Sequence, residues 1–344
     1  MDKKLLTVSS SPHIRSKTDT RSIMLDVIIA MLPALVVAVI EFGMRALLLT
    51  VVSVVACVFF EWAYRKIMKK SSSIGDLSAI VTGMLIAFCM PANAPYWLPI
   101  PGALFAIVLV KQLYGGIGKN FLNPALAARA FMLTSWPVYM ATWMAPKATG
   151  IFSFTTDVAT AATPMSYLNT GVLPDASIMQ TFIGNIGGCL GEVSALALLI
   201  GGAWLVYRKV ISVRIPLSFI LTVAVLTFVF PKGGNARLDW MLYSVLSGGV
   251  FLGAIFMATD YATSPITSKG QIIYGIGCGA LTVAIRYFGA YVEGVSYAIL
   301  VMNVCAWFID SKTMPRQFGV SKEDLKAAKA KAKAEKKKAK EGVA

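Results

Sequence analysis

The chain has 344 residues, 57% hydrophobic and 14% charged, with a formal net charge of +15 and a single histidine; its mean hydropathy is +0.69. Soluble domains carry about 25% charged residues. The low charge, with recurring apolar runs of about 18 residues or more, excludes a soluble α-bundle and points to an all-α, polytopic membrane protein. No window shows the alternation of a membrane barrel, and the basic residues lie in short segments between apolar runs, a flank pattern that argues against a nucleic-acid partner.

Residues 1–21 form a basic arm containing Lys3, Lys4, His13, Arg15, Lys17 and Arg21. The run behind it is too long for the core of a cleaved signal. The first apolar run covers 23–42 and contains Asp26 and Pro33. The second covers 46–64, with Glu61 near its end, and Arg65, Lys66, Lys69 and Lys70 follow. The third, 77–90, is short, about 14 residues against the nominal 20 of a span. It ends in PANAPYWLPIP (91–101), whose four prolines are expected to stop a helix. A fourth run, 102–114, leads to the glycine-rich loop 115–120. The fifth opens at Asn123-Pro124, an N-cap followed by a proline at the first helical position, and carries Arg129.

A polar stretch follows and separates two hydrophobic halves. The sixth run is read as one helix from 182 to 207 that contains Gly187, Gly188, Gly191 and Glu192. The seventh covers 215–230, the eighth 240–258, the ninth 272–288 and the tenth 295–309. The eighth ends in ATDYATSP (258–265). Beyond residue 310 the chain is rich in lysine and alanine, as a solvated tail would be.

Ten runs place both termini on one side. With that side cytoplasmic, the inside segments 1–21, 65–76, 111–122, 208–214, 259–271 and 310–344 hold nearly all the Lys and Arg. Arg45, Lys147, Lys232, Arg237 and Arg286 are counted outside, so the positive-inside rule is met. The stretch 79–93 resembles 245–260: both are small-residue-rich, short, and third in a set of five. An odd number of spans per half inverts one half against the other, an arrangement that places a ligand site near the midplane. The expected organisation is a basic arm (1–21), a five-helix repeat (22–142), an extracytoplasmic loop (143–181), a second, inverted five-helix repeat (182–310) and a cytoplasmic tail (311–344).

Within the loop, Asp157, Thr160, Ala162 and Thr163 fall in the order D-x-x-T-x-A-T, followed by Pro164. This spacing resembles the recognition site of flavin transferases, which join FMN through its phosphate to a threonine hydroxyl. Thr163 would be the acceptor, Asp157 would assist the transferase, and Ala162 leaves room beside it. Among charges in apolar runs, Lys111 and Glu61 read as residues that snorkel to an interface. Arg129 and Glu192 lie deeper. Arg129 could pair with a carboxylate or hold a flavin phosphate or pyrimidine oxygen. Asn123 could present a helix N-terminus to an anionic group. Glu192 and Asp26 are candidates for a cation route. The five cysteines, Cys57, Cys89, Cys189, Cys278 and Cys305, lie in or beside apolar runs without C-x-x-C spacing and read as small packing residues, so no metal site is expected. The 115–120 loop lacks the order of a phosphate-binding Walker loop.

Six stretches together carry a wider resemblance: SPHIRSKTDTRSIMLDV (11–27), LSAIVTGMLIAFCMP (77–91), GGIGKNFLNPALAARAF (115–131), the threonine site (157–164), GEVSALALLIGG (191–202) and FMATDYATSPIT (256–267). The chain resembles the family that unites the D subunit of the Rnf ion-translocating electron-transport complex with the B subunit of the sodium-pumping NADH:quinone reductase; its early start favours the Rnf branch. The resemblance implies a urea-channel-like fold, covalent FMN on Thr163, an additional non-covalent riboflavin, and electron transfer between ferredoxin and NAD+ coupled to Na+ or H+ export across the bacterial inner membrane. It also implies partners: a second covalently flavinylated subunit, membrane iron–sulfur subunits, a soluble NAD-binding subunit, and a flavin transferase for maturation. A channel or transporter for a small solute is the competing reading, since short helices and inverted repeats are common in transporters.

Overall fold

A computed structural model describes residues 19–147, 160–289 and 293–315. Among them the chain is helical, with two isolated β-bridges, Pro91–Cys189 and Met144–Thr160. The helices are α1 (Thr20–Phe42), α2 (Met44–Ile67), α3 (Ser78–Phe88) and α4 (Pro99–Gln112), whose residues from Phe105 on wind as a π-helix. Then come α5 (Pro124–Ser135), α6 (Pro137–Met140), α7 (Pro164–Thr170), α8 (Ile178–Ile183), α9 (Ala195–Tyr207) and α10 (Arg214–Val229). The last four are α11 (Arg237–Leu246), α12 (Val250–Met257), α13 (Ser268–Phe288) and α14 (Val295–Thr313).

Three helices, α1, α2 and α13, are individually long and apolar enough to cross a membrane. The α11–α12 pair adds a fourth if its bent halves form one span, while α3, α4, α9 and α10 are apolar but shorter. This is a polytopic helical membrane protein. The outward faces of α1 and α2 show why: Leu32, Val36, Val55 and Phe59 are exposed, which only lipid surroundings would favour.

Several boundaries follow from local chemistry. Asn123 caps α5 as expected: its Oδ1 accepts from the N–H groups of Ala125 (3.0 Å) and Leu126 (3.3 Å), with Pro124 in the first turn. Two of the four prolines after α3 behave differently from expectation. Pro99 and Pro101 open α4 rather than block it, because the first-turn N–H groups need no helical partner.

The sixth run is not one helix. Residues 184–194 are irregular between α8 and α9, so Glu192 lies outside a helix, contrary to the expectation from hydropathy. This segment lies antiparallel to the chain leaving α3: Leu190 N–H donates to Met90 O (2.9 Å) and Gly191 N–H to Phe88 O (3.0 Å). A Cβ on Gly191 would sit 2.4 Å from the Phe88 Cβ, so only glycine allows that approach. The eighth run also breaks. α11 and α12 bend by 57° at Gly248 and Gly249, whose φ values of 68° and 70° favour glycine.

Carbonyls released after α3 and at the α11–α12 bend are met by two arginines that the charge count places outside. Arg45 is buried and donates to Ala92 O (2.7 Å), Asn93 O (3.3 Å) and Ala94 O (2.8 Å). Arg286 is buried within α13 and donates to Ser244 O (2.6 Å), Ser247 O (3.1 Å), Gly248 O (3.1 Å) and Glu293 O (3.0 Å). An unpaired backbone carbonyl is costly away from water, and a guanidinium can satisfy several at once.

Candidate functional site

Three irregular segments, 89–94, 184–194 and 247–249, converge beside α5. At that point Arg129, projecting from the middle of α5, donates through Nη1 to Glu192 Oε1 (3.0 Å) and through Nη2 to Glu293 Oε2. Its Nη2 also lies 3.8 Å from Cys189 Sγ. Glu192 is pressed against the second break, where a Cβ on Gly249 would fall 2.4 Å from Glu192 Oε1. One guanidinium thus balances two carboxylates in a buried setting, the condition under which buried charges are tolerated.

Thr163 borders this cluster. It caps α7, its Oγ1 accepting from Ser166 N–H at 3.2 Å, and the residue is 4% exposed. With Gly187, Glu192, Gly248 and Glu293 it lines a tight cavity of about 10 Å³. Glu293 is also a wall of a second cavity of about 390 Å³, which includes Arg129, Met140, Trp143 and Tyr297. Of the other residues of the threonine motif, Thr160 is exposed and bridges to Met144, Ala162 is exposed, and Asp157 lies outside the described residues.

Asn123 is not brought to Thr163. Its Nδ2 donates to Met257 O (3.2 Å), tying α5 to the end of α12. It lines a separate cavity of about 110 Å³ between α1, α3, α9 and α12, together with Lys111, Asn120 and Asp260. Burial pushes the Asp260 carboxyl above the usual carboxylate range, against hydrogen bonds from Ala262 N–H and the side chains of Thr263 and Asn120. Asn123 and Arg129, six residues apart, are about 9 Å apart along the α5 axis.

The two candidate route residues are also separated. Asp26 on α1 accepts from Arg208 Nε (3.1 and 3.2 Å) at the C-terminal end of α9, whereas Glu192 precedes its N-terminal end. The 13 residues of α9 put about 20 Å between them.

One expectation is overturned. Lys111 and Glu61 do not snorkel: both are buried, and Lys111 Nζ donates to Glu61 Oε2 (2.8 Å) and Ser78 Oγ (2.6 Å), with Gln112 Nε2 donating to Glu61 Oε1 (3.0 Å). Cys189 is buried, as a packing residue is; folding also sets its sulfur with the carboxylates of Glu192 and Glu293 within 4.8 Å of one another, and both carboxylates already hold Arg129. Cys57, Cys89 and Cys278 are buried and free, while Cys305 is exposed. Sequence reasoning missed Glu293 altogether. Its signal was faint, one carboxylate beside Gly294 in the short link between two apolar runs.

The fold and this cluster define a class: a polytopic membrane protein with a buried, arginine-balanced carboxylate pair where interrupted segments meet. The chain belongs to the NQR2, RnfD, RnfE family, whose model matches residues 7–319. It is 49% identical over 325 residues, 94% of this chain and 98% of the relative, to the D subunit of the Na+-translocating ferredoxin:NAD+ oxidoreductase complex of Acetobacterium woodii. It is 38% identical to the D subunit of the proton-translocating ferredoxin:NAD+ oxidoreductase complex of Clostridium ljungdahlii, covering 92% and 97% of the two chains. It is 33% identical to the D subunit of the ion-translocating oxidoreductase complex of Escherichia coli, covering 91% and 98%.

Proposed function

We propose that this chain is the D subunit of an Rnf-type ion-translocating ferredoxin:NAD+ oxidoreductase complex, active only within that complex, and that it carries FMN on Thr163. The 49% identity to a component of a ferredoxin:NAD+ oxidoreductase complex across nearly the whole of both chains carries the reading. The family's members include one named for Na+ and one named for protons, so the exported cation is Na+ or H+. The partners are those the resemblance implies, with a flavin transferase acting during maturation.

The residues around Thr163 fit a tethered flavin in a defined way. Thr163 offers a hydroxyl for a phosphodiester. The space at that hydroxyl is too small for an isoalloxazine ring, but the adjoining cavity of about 390 Å³, with Trp143 and Tyr297 in its wall, suits a flat aromatic group. Arg129 stands in that wall and offers a cation to an anionic or carbonyl oxygen. When bound, FMN supplies one- and two-electron redox chemistry. Asn123, together with Asn120, supplies amide groups to the 110 Å³ cavity; that space is below the roughly 300 Å³ of a small-molecule site, so the non-covalent riboflavin that the resemblance implies is not assigned to it. Glu192 and Asp26 remain candidates for the cation route; each is held by an arginine, so a passing cation must compete with that partner.

On this reading the chain has about ten spans in two inverted five-helix halves, 22–142 and 182–310. Both termini are cytoplasmic, and the 143–181 loop is on the outer face of the bacterial inner membrane. Support comes from helix interruptions in both halves, after α3 and between α11 and α12.

The mass of the Thr163 peptide from native complex tests the proposal. An FMN adduct, and loss of the in-gel flavin band in Thr163→Ala, are expected. An unmodified peptide from active complex overturns the tether. Ion transport in Glu192→Gln tests the route; unaltered transport with normal flavin content removes Glu192 from it.

A further inference from the structure

The end of α2 carries a pocket that shares no lining residue with the cavities at Thr163 and Arg129. After Ile67 the backbone reverses at Lys69, where φ is 53°, with Lys70 N–H donating to Arg65 O (2.9 Å). The chain then folds back along the helix it has left. Arg65 Nη1 donates to Ser71 O (2.8 Å), and Ser73 Oγ donates to the Glu61 carboxylate. A pocket of about 210 Å³ results, lined by Trp62, Arg65, Lys66, Lys70, Ser72 and Ser73 over Glu61.

Its charge is strongly one-sided. The Glu61 carboxylate at its base is already taken by Lys111, Gln112 and Ser73. Among the described residues no carboxylate pairs with Arg65, Lys66 or Lys70. Arg65 Nε is buried and has no acceptor there. Lys66 lies over the Trp62 ring (4.7 Å) and Lys70 over the Tyr64 ring (5.4 Å), contacts that position the ammonium groups without neutralising them. Three cations and the Ser72 hydroxyl around one concavity are the donor set of a phosphate site.

The surroundings indicate what carries the phosphate. α2 is one of the helices long and apolar enough to span a membrane, and the pocket forms at its last turn, where headgroups lie. Phe59 and Trp62 are exposed just before it, and Ile67 and Met68 just after it. Apolar side chains beside a cationic pocket at that depth match a ligand with both an anionic head and acyl chains. We propose that this pocket binds the phosphate headgroup of an anionic phospholipid.

The test compares assembled complexes purified in mild detergent and reconstituted in nanodiscs of phosphatidylglycerol or of phosphatidylcholine, with bound lipid counted by native mass spectrometry. Wild type is expected to retain phosphatidylglycerol on this chain and not phosphatidylcholine. The R65Q/K66Q/K70Q variant is expected to retain about tenfold less, as the loss of three phosphate contacts predicts. K66Q/K70Q alters only exposed side chains and so keeps the fold; it is expected to show a clear fall by itself. K209Q/R214Q, which removes basic residues elsewhere, is expected to match wild type. Equal retention by wild type and K66Q/K70Q, equal retention of the two lipids, or an equal fall in K209Q/R214Q overturns the proposal. Saturable binding of inorganic phosphate to lipid-free complex, with no lipid retained, assigns the site to the free ion and overturns the lipid.

Discussion

Gly191 donates its backbone N–H to the Phe88 carbonyl at 3.0 Å, and a Cβ at that glycine would lie 2.4 Å from the Phe88 Cβ. With the Leu190 N–H to Met90 O bond, that approach joins the chain entering α9 to the chain leaving α3 and so sets where Glu192 stands. Gly191→Ala is expected to cost about 1–3 kcal/mol through overpacking, lowering the thermal midpoint of the purified protein. Gly188→Ala, with nothing within 4 Å of its Cβ position, is expected to leave the midpoint nearly unchanged. Equal midpoints for the two variants would refute the proposed contact.

Among the described residues Arg129 is the cation that ion-pairs with both Glu192 and Glu293. Replacing it with methionine leaves buried Glu192 and partly buried Glu293 without their ion-pair partner and is expected to cost about 3–5 kcal/mol. Glu192→Gln leaves the Arg129–Glu293 pair in place and is expected to cost distinctly less. The order of the two thermal midpoints checks this, and a double variant falling short of the summed losses would confirm the coupling.

Arg45 holds three carbonyls at the break after α3 and lies over the Tyr96 ring at 4.7 Å. Arg45→Met is expected to destabilise by about 1–3 kcal/mol for each group left unsatisfied. Arg45→Lys is expected to recover only part, because an ammonium cannot reproduce the planar fork. Thermal melts of both variants, with proteolysis of the 89–98 segment as a local readout, separate these outcomes.

Lys111 and Glu61 form a pair with almost no exposure, 4% and 0% for the two side chains. Either single apolar replacement leaves a lone buried charge, at an expected cost of about 3–5 kcal/mol. Replacing both with methionine is expected to be milder than either single change. A double variant less stable than both singles would show that the pair does not act as a unit.

Much of the architecture was legible without coordinates. Apolar runs of spanning length are a local property, so α1, α2 and α13 could be read from hydropathy. Asn123-Pro124 announced the start of α5 because capping involves atoms two or three residues away. The threonine motif likewise stood out by spacing. Hydropathy could not separate a continuous helix from an interrupted one in the sixth and eighth runs, since glycine and serine keep the mean apolar while releasing the backbone. Nor could it show that Pro99 and Pro101 begin a helix, a matter of where the first turn falls.

The sequence by itself determined a membrane-embedded helical chain and the family to which it belongs, because both rest on short-range pattern and on residues read in order. Only the tertiary structure decided the partners of the charges. Arg129 meets Glu192 and Glu293, 63 and 164 residues away; Lys111 meets Glu61 across 50; Arg45 and Arg286 turn inward to carbonyls instead of outward to water. A charge in an apolar medium must find its counterpart wherever the fold brings one, and no local pattern encodes that address.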